Sequence, residues 1–126
     1  MKKIIMTNNA PAAIGPYSQA VMAGDFLFVS GQLALDPQTM ELVGKTAAQQ
    51  AEQALKNAGA ILEEAGFSFD QVVKTTVLLN DINDFAAVND VYARQFKADY
   101  PARAAYEVAN LPKGALVEIE LIAYRG

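Results

Sequence analysis

The chain contains no cysteine, no histidine and no tryptophan among its 126 residues. Without thiols and imidazoles there can be no disulfide, zinc finger, iron–sulfur centre, cysteine nucleophile or histidine-based triad. Cations are scarce as well: ten Lys and Arg stand against fourteen Asp and Glu, a net charge of −4 and a pI near 4.7. No basic run extends beyond Lys2-Lys3, so the electrostatic footprint of a nucleic-acid or anionic-membrane binder is missing. Apolar stretches fall far short of the ~20 residues of a membrane helix. Ile4-Ile5-Met6 is likewise too short for the apolar part of a signal peptide. The expectation is a soluble cytoplasmic protein.

What is present fits one domain, residues 1–126, with enough apolar material for a core that needs no staples. No linker, low-complexity tract or internal repeat divides it. Hydrophobic residues make up 52% of the chain. That share favours a homo-oligomer with a surface to cover, an alanine-rich helix pair being the plainer explanation.

The pattern along the chain predicts β-β-β-α-β-α-β-β. Lys3–Met6 reads as a first strand. Tyr17–Met22 and Phe26–Gln32 read as a hairpin turning at Ala23-Gly24-Asp25. Thr46 and Gln49 make a capping box. The stripe Ala51, Ala54, Leu55, Ala58, Leu62 and Ala65 follows it, and Gly66 supplies the stop. Val72–Leu79 is aliphatic and β-branched, a strand expected to be buried on both sides. Asp84 opens a second helix that turns Phe85, Val88, Tyr92 and Phe96 inward and closes at Tyr100-Pro101. Ala104–Ala109 and Leu116–Tyr124 read as a terminal hairpin around Leu111-Pro112-Lys113-Gly114. Two helices on one face of a mixed sheet make an α+β sandwich.

Chemistry concentrates in few places. On the last strand, Ala115, Val117, Ile119, Leu121 and Ala123 alternate toward the helices, and the other face carries Leu116, Glu118, Glu120 and Ile122. Two readings fit: solvated carboxylates on a half-exposed face, or a subunit interface where burial tunes the acidity of one Glu. Of three arginines, Arg94 and Arg125 read as solvated. Arg103 enters a strand among small residues that offer no acidic neighbour, which suits a guanidinium that binds a ligand carboxylate. A surface arginine or a structural pair with a Glu is the alternative. Ile14-Gly15-Pro16-Tyr17-Ser18-Gln19 is a stiff turn, and Ser30-Gly31-Gln32 ends a strand with a glycine that a ligand could approach. Asn89, one turn from Phe85, needs a partner for its amide. Asp81-Ile82-Asn83-Asp84 lacks the glycine and terminal glutamate of a calcium loop, and no Gly-rich phosphate cradle is present.

Five segments in order resemble the reactive intermediate deaminase A, or YjgF, family across essentially the whole chain. They are Asn9–Gln19, Val29-Ser30-Gly31-Gln32, Val73–Val77, Asn83-Asp84-Phe85, and Tyr100–Val108 followed by Leu111-Pro112 and Val117-Glu118-Ile119-Glu120. The resemblance implies a chorismate-mutase-like α+β fold, a homotrimer with sites between subunits, and no cofactor or metal. The implied activity is hydrolysis of 2-imino acids, or their enamine tautomers, to 2-oxo acids and ammonia. Such imines leak from pyridoxal-phosphate dehydratases, an implied functional link. By the same resemblance Arg103 anchors the substrate carboxylate and Glu118 positions or activates water. Tyr17, Ser30, Gly31 and Asn89 line the pocket, and the Ala105 carbonyl contacts the imine. Many members carry cysteine at the Ala105 position, so thiol-based control is absent from this chain. A non-enzymatic 2-oxoacid binder and a ribonuclease or translation inhibitor are the alternative functions.

Overall fold

The computed structural model describes residues 1–126. Six strands form one mixed sheet in the order β1-β2-β3-β6-β4-β5. They are β1 (Lys3–Ile5), β2 (Ala20–Ala23), β3 (Phe26–Gln32), β4 (Val72–Leu79), β5 (Ala102–Glu107) and β6 (Val117–Tyr124). Two helices, α1 (Ala47–Glu64) and α2 (Phe85–Phe96), cover one face, and the α+β order read from the sequence stands. Neither helix is long and apolar enough to cross a membrane.

Local signals explain α1. The Thr46 hydroxyl accepts from Gln49 N at 3.2 Å while the Gln49 side chain accepts from Thr46 N at 3.3 Å, closing the box. Ala51, Ala54, Leu55, Ala58 and Leu62 are all buried, and their small size lets the helix lie close on β3 and β6. Gly66 ends the helix at φ +80°, where a side chain would be strained. Along β6, Val117, Ile119, Leu121 and Ala123 point into the core.

The sequence-based expectations need correction in five places. First, β2 starts at Ala20, not Tyr17. Pro16 cannot donate to a ladder, and Tyr17 N bonds back to Gly15 O at 2.8 Å, so the chain is still turning there. Second, β5 and β6 are not a hairpin. β5 runs parallel to β4 at the sheet edge, because α2 carries the chain back over the sheet, and β6 inserts between β3 and β4. Third, β4 is covered by this chain on one face only: Val72, Thr75, Val77 and Leu79 are buried while Val73 is 43% exposed. Fourth, α2 stops at Phe96, where Lys97 takes φ 63°. Fifth, Arg125 is not simply solvated. Its guanidinium lies 4.8 Å from the Phe67 ring centroid, whereas Arg94 stays at the surface beside Glu52 at 3.5 Å.

Register decides what the uncovered face carries. Since side chains alternate, Thr75 and its β5 neighbour Arg103 share the helix side. Thr76, Leu78, Glu118, Glu120, Ile122 and Phe28 share the open side, as do Ala104 and Tyr106. Phe28 and Tyr106 are exposed there, along with Ile4, Phe26 and Tyr124.

Candidate functional site

The candidate site on the open side is made by a bulge. Between Val29 and Gln32, β3 takes three steps while β6 takes two, from Leu121 to Ile119. The extra residue throws Ser30-Gly31 against β6 beside Glu118. Gly31 leaves the room Glu118 occupies: a Cβ on it would overlap Glu118 Oε2 and lie 2.8 Å from Cδ, so any side chain there would displace the carboxylate. Ser30 is fixed from three directions. Its hydroxyl donates to Ser18 O at 2.6 Å, its N–H donates to Gln19 O at 3.0 Å, and its carbonyl accepts from Gln32 Nε2 at 3.0 Å.

The adjoining loop is held by a side chain whose importance the sequence does not announce. Gln19 is buried. It accepts from Thr7 N at 2.7 Å and donates to Thr7 O at 3.0 Å and Pro11 O at 2.8 Å. An amide is the one neutral group that can serve both an N–H and carbonyls in a loop with no ladder partners. The only clue lies in the position, a polar residue three places after the Gly15-Pro16 turn and directly before β2.

These elements enclose a cavity of about 500 Å³ lined by Tyr17, Ser30, Gly31, Lys113, Glu118 and Glu120, with Ile14, Leu35 and Met40 as apolar walls. Lys113 reaches it from a short 3₁₀ turn, Pro112–Gly114, in which Lys113 and Gly114 both take positive φ. Glu118 is half-buried, and that burial, reinforced by the Glu120 charge, holds its carboxyl above the usual carboxylate range. A carboxylate poised this way is a better base than a solvated one.

Arg103, Asn89 and Ala105 lie elsewhere. The Arg103 Nη1 donates to Asn89 Oδ1 at 2.8 Å, and the guanidinium carbon sits 4.8 Å from the Tyr92 ring centroid and 5.2 Å from that of Phe85. The only ion pair in the chain is Arg94–Glu52, so Arg103 has no acidic partner. Tyr92 OH is bonded to Thr75 Oγ1 at 2.7 Å. Burial raises the phenol's pKa against the opposing influence of the Thr75 bond and the Arg103 charge, so Tyr92 stays neutral. Ala105 lies next but one to Arg103 on the same edge strand, opposite Val77. The chain thus gathers Tyr17, Ser30, Gly31 and Glu118 on the open face, and Arg103, Asn89 and Ala105 on the helix side.

Fold and site define a small α+β domain with two separate polar clusters, one bearing a cation and the other a carboxylate. Residues 7–125 match the endoribonuclease L-PSP family, and the chain belongs to that family. It is 54% identical to the human 2-iminobutanoate/2-iminopropanoate deaminase over 126 residues, all of this chain and 92% of that protein. Among solved structures, RidA from an Antarctic Psychrobacter superposes with a TM-score of 0.94 at 51% identity, covering 98% of this chain and 99% of that one. Escherichia coli TdcF with bound serine superposes with a TM-score of 0.92 at 45% identity, again covering 98% and 99%.

Proposed function

We propose that the chain hydrolyses 2-imino acids and their enamine tautomers to 2-oxo acids and ammonia, in sites shared between neighbouring copies of a homotrimer. The name of the human relative supports the reaction, and the serine bound to the E. coli relative supports a small ligand with an amino-acid carboxylate. One observation carries the shared site: Arg103 and Glu118 occupy opposite faces of one sheet. Their partners on β4, Thr75 and Leu78, are three residues apart, so the two groups are offset by about 10 Å along the strands as well as sitting two strands apart on opposite faces. A three- or four-carbon acid cannot touch both within one protomer. The open face supports the assembly, because its exposed Phe26, Phe28 and Tyr124 rings lie against one another as an apolar patch that water does not favour.

In such a site Arg103 grips the carboxylate and orients the imine carbon. The Ala105 carbonyl accepts a hydrogen bond from the iminium nitrogen, favouring the electrophilic form. Glu118 takes a proton from water as its oxygen bonds to carbon, and the C=N electron pair moves onto nitrogen. The protonated Glu118 then returns the proton to nitrogen. Ammonia leaves as the hydroxyl oxygen forms C=O, and the hydroxyl proton ends on the departing ammonia. Tyr17, Ser30 and Gly31 bound the pocket around the water, and Asn89 holds Arg103. No metal or cofactor is needed in this sequence of steps. The reading places the protein in the cytoplasm beside the pyridoxal-phosphate dehydratases that release such imines.

The test couples the protein to a serine or threonine dehydratase and follows imine decay. Faster decay is expected with wild type than without protein, and unchanged decay overturns the reading. Light scattering should give about three times the 13.5 kDa of one chain, and a monomer would remove the shared site. The family's description favours RNA as a second substrate class. An acidic surface without a basic stripe leaves little to hold a phosphate backbone, so purified protein should cleave RNA no faster than a mock preparation.

A further inference from the structure

We infer that Phe85 and Tyr92, with Asn89 between them, form a neutral seat that orients the Arg103 guanidinium without neutralising it, and that they are positioning residues for the substrate carboxylate. The inference rests on the reading of Arg103 as the carboxylate anchor.

The seat is a single stripe of α2: Phe85, Asn89 and Tyr92 fall at i, i+4 and i+7. Two of its members offer ring faces, 5.2 and 4.8 Å from the guanidinium carbon, and the third offers an amide oxygen at 2.8 Å. Each attracts a cation, yet none carries a charge. An acidic partner would hold the arginine more strongly but would compete with a ligand's carboxylate for the same N–H groups. Here only Nη1 is engaged, which leaves the Nε and Nη2 edge for two parallel bonds to a carboxylate.

The seat is itself anchored in the core. Thr75 is fully buried, and its hydroxyl bonds the Tyr92 phenol at 2.7 Å. Thr75 is also the β4 residue opposite Arg103 in the parallel register. The strand pair that presents the arginine therefore also fixes the ring beneath it. A flexible arginine on an exposed edge strand would lose side-chain freedom each time it bound a ligand, and one already seated loses less.

Three variants test this. Tyr92→Leu removes the buried ring, Phe85→Leu removes the half-buried one with less risk to folding, and Thr75→Val with Tyr92→Phe removes both hydroxyls but keeps the ring. The measurements are 2-oxobutanoate affinity by calorimetry, KM and kcat for the imine, and mobility of the Arg103 Nε–H group by NMR. Tyr92→Leu and Phe85→Leu should each weaken binding and raise KM by about 3- to 30-fold, the factor a cation–π contact supplies. In both, kcat should stay within a few-fold of wild type and the Arg103 Nε–H should become more mobile. The double variant should recover most of the affinity lost in Tyr92→Leu. Unchanged affinity and Arg103 mobility in a folded Phe85→Leu overturn the seat, as does a double variant as weak as Tyr92→Leu. Arg103→Ala separates the two levels. If it binds 2-oxobutanoate as wild type does, the anchor reading fails and the seat with it. If it loses binding while the ring variants do not, only the seat fails.

Discussion

Gly31 and Glu118 compete for the same space: the carboxylate of Glu118 occupies the volume into which any side chain on Gly31 would project. Gly31 has no positive φ, so the backbone would accept alanine, and the atoms in the way belong to the far end of a flexible side chain. Gly31→Ala should therefore fold and melt much like wild type. Its Glu118 is pushed off the position from which the proposed mechanism has it meet water, and a displacement of about an ångström at a reacting group costs ~10²-fold in rate. The check is kcat alongside a thermal melt. Full activity in the folded variant would mean that Glu118 does not act from its present position.

The acidity of Glu118 gives a pH signature. Burial first, and the Glu120 charge second, raise its pKa above the ordinary 4.5. A base must be ionised, so activity should rise through that raised value and fall off on the acid side above the normal carboxylate range. Glu120→Gln removes one of the two causes and should move the acid limb to lower pH while leaving the plateau rate within a few-fold. Stability runs the other way. The folded state holds the Glu118 proton to higher pH than the unfolded chain does. Its contribution is thus fully present below the unfolded pKa and lost as pH rises through the folded one. Glu118→Gln cannot ionise and should melt higher than wild type at neutral pH, an advantage that disappears in acid. Melting curves at both ends of the range check the sign.

Arg103 and Glu118 should fail in different ways. With Arg103 as the proposed carboxylate anchor, Arg103→Ala loses a charge-assisted pair that acts in ground and transition states alike, so 2-oxobutanoate affinity and kcat/KM should both drop by at least ~30-fold. Glu118→Gln keeps shape and removes the base, so binding should persist while kcat falls by ~10²-fold or more. Calorimetry and initial rates on the two variants separate an enzyme from a binder. Wild type that binds 2-oxobutanoate but hydrolyses imine no faster than Glu118→Gln is a binder.

How far these residues could be read from sequence depended on distance along the chain. The Thr46–Gln49 box, the alanine stripe of α1 and the alternation of β6 are legible because each is settled within a turn or two of its own residues. Arg103 and Glu118 could be singled out by their neighbours, yet nothing local says that they face opposite ways. That follows from the pairing of Arg103 with Thr75 and of Glu118 with Leu78, and pairing is a choice between distant segments. The same non-locality hides β5, which the short Leu111-Pro112-Lys113-Gly114 connection makes look like half of a hairpin. The Asn89 amide needs a partner that no neighbouring residue in the sequence supplies. The partner is the arginine, brought onto α2 by the parallel crossover. The left-handed stop at Lys97 carries no glycine to announce it.

Gln19 supplies a prediction on stability. Gln19→Leu preserves bulk but strands Thr7 N, Thr7 O and Pro11 O in or near the buried loop. Each lost partner costs about 1–3 kcal/mol, partly recovered where water can enter, so a net loss of about 2–4 kcal/mol is expected in urea unfolding. Because the same loop borders the cavity beside Tyr17, ligand affinity should fall too. A loss below about 0.5 kcal/mol, typical of a surface change, would mean that the loop is held by other contacts.

The placement of Arg103 and Glu118 on opposite faces makes a last prediction that depends on assembly and on nothing else. If each site draws its arginine from one copy and its glutamate from the next, two inactive variants can repair one another. A copy carrying Glu118→Gln still offers Arg103, and a copy carrying Arg103→Ala still offers Glu118. Refolded together in equal amounts, they should form rings in which about one site in four has both groups intact, since a head-to-tail interface meets the right neighbour by chance. Activity near a quarter of wild type is expected from the mixture, against almost none from either variant alone. Varying the mixing ratio should trace the product of the two fractions, with its maximum at equality. A mixture no better than its components would place both groups of each site on one copy, which the sheet between them forbids for a small substrate. It would then remove either Arg103 or Glu118 from the site.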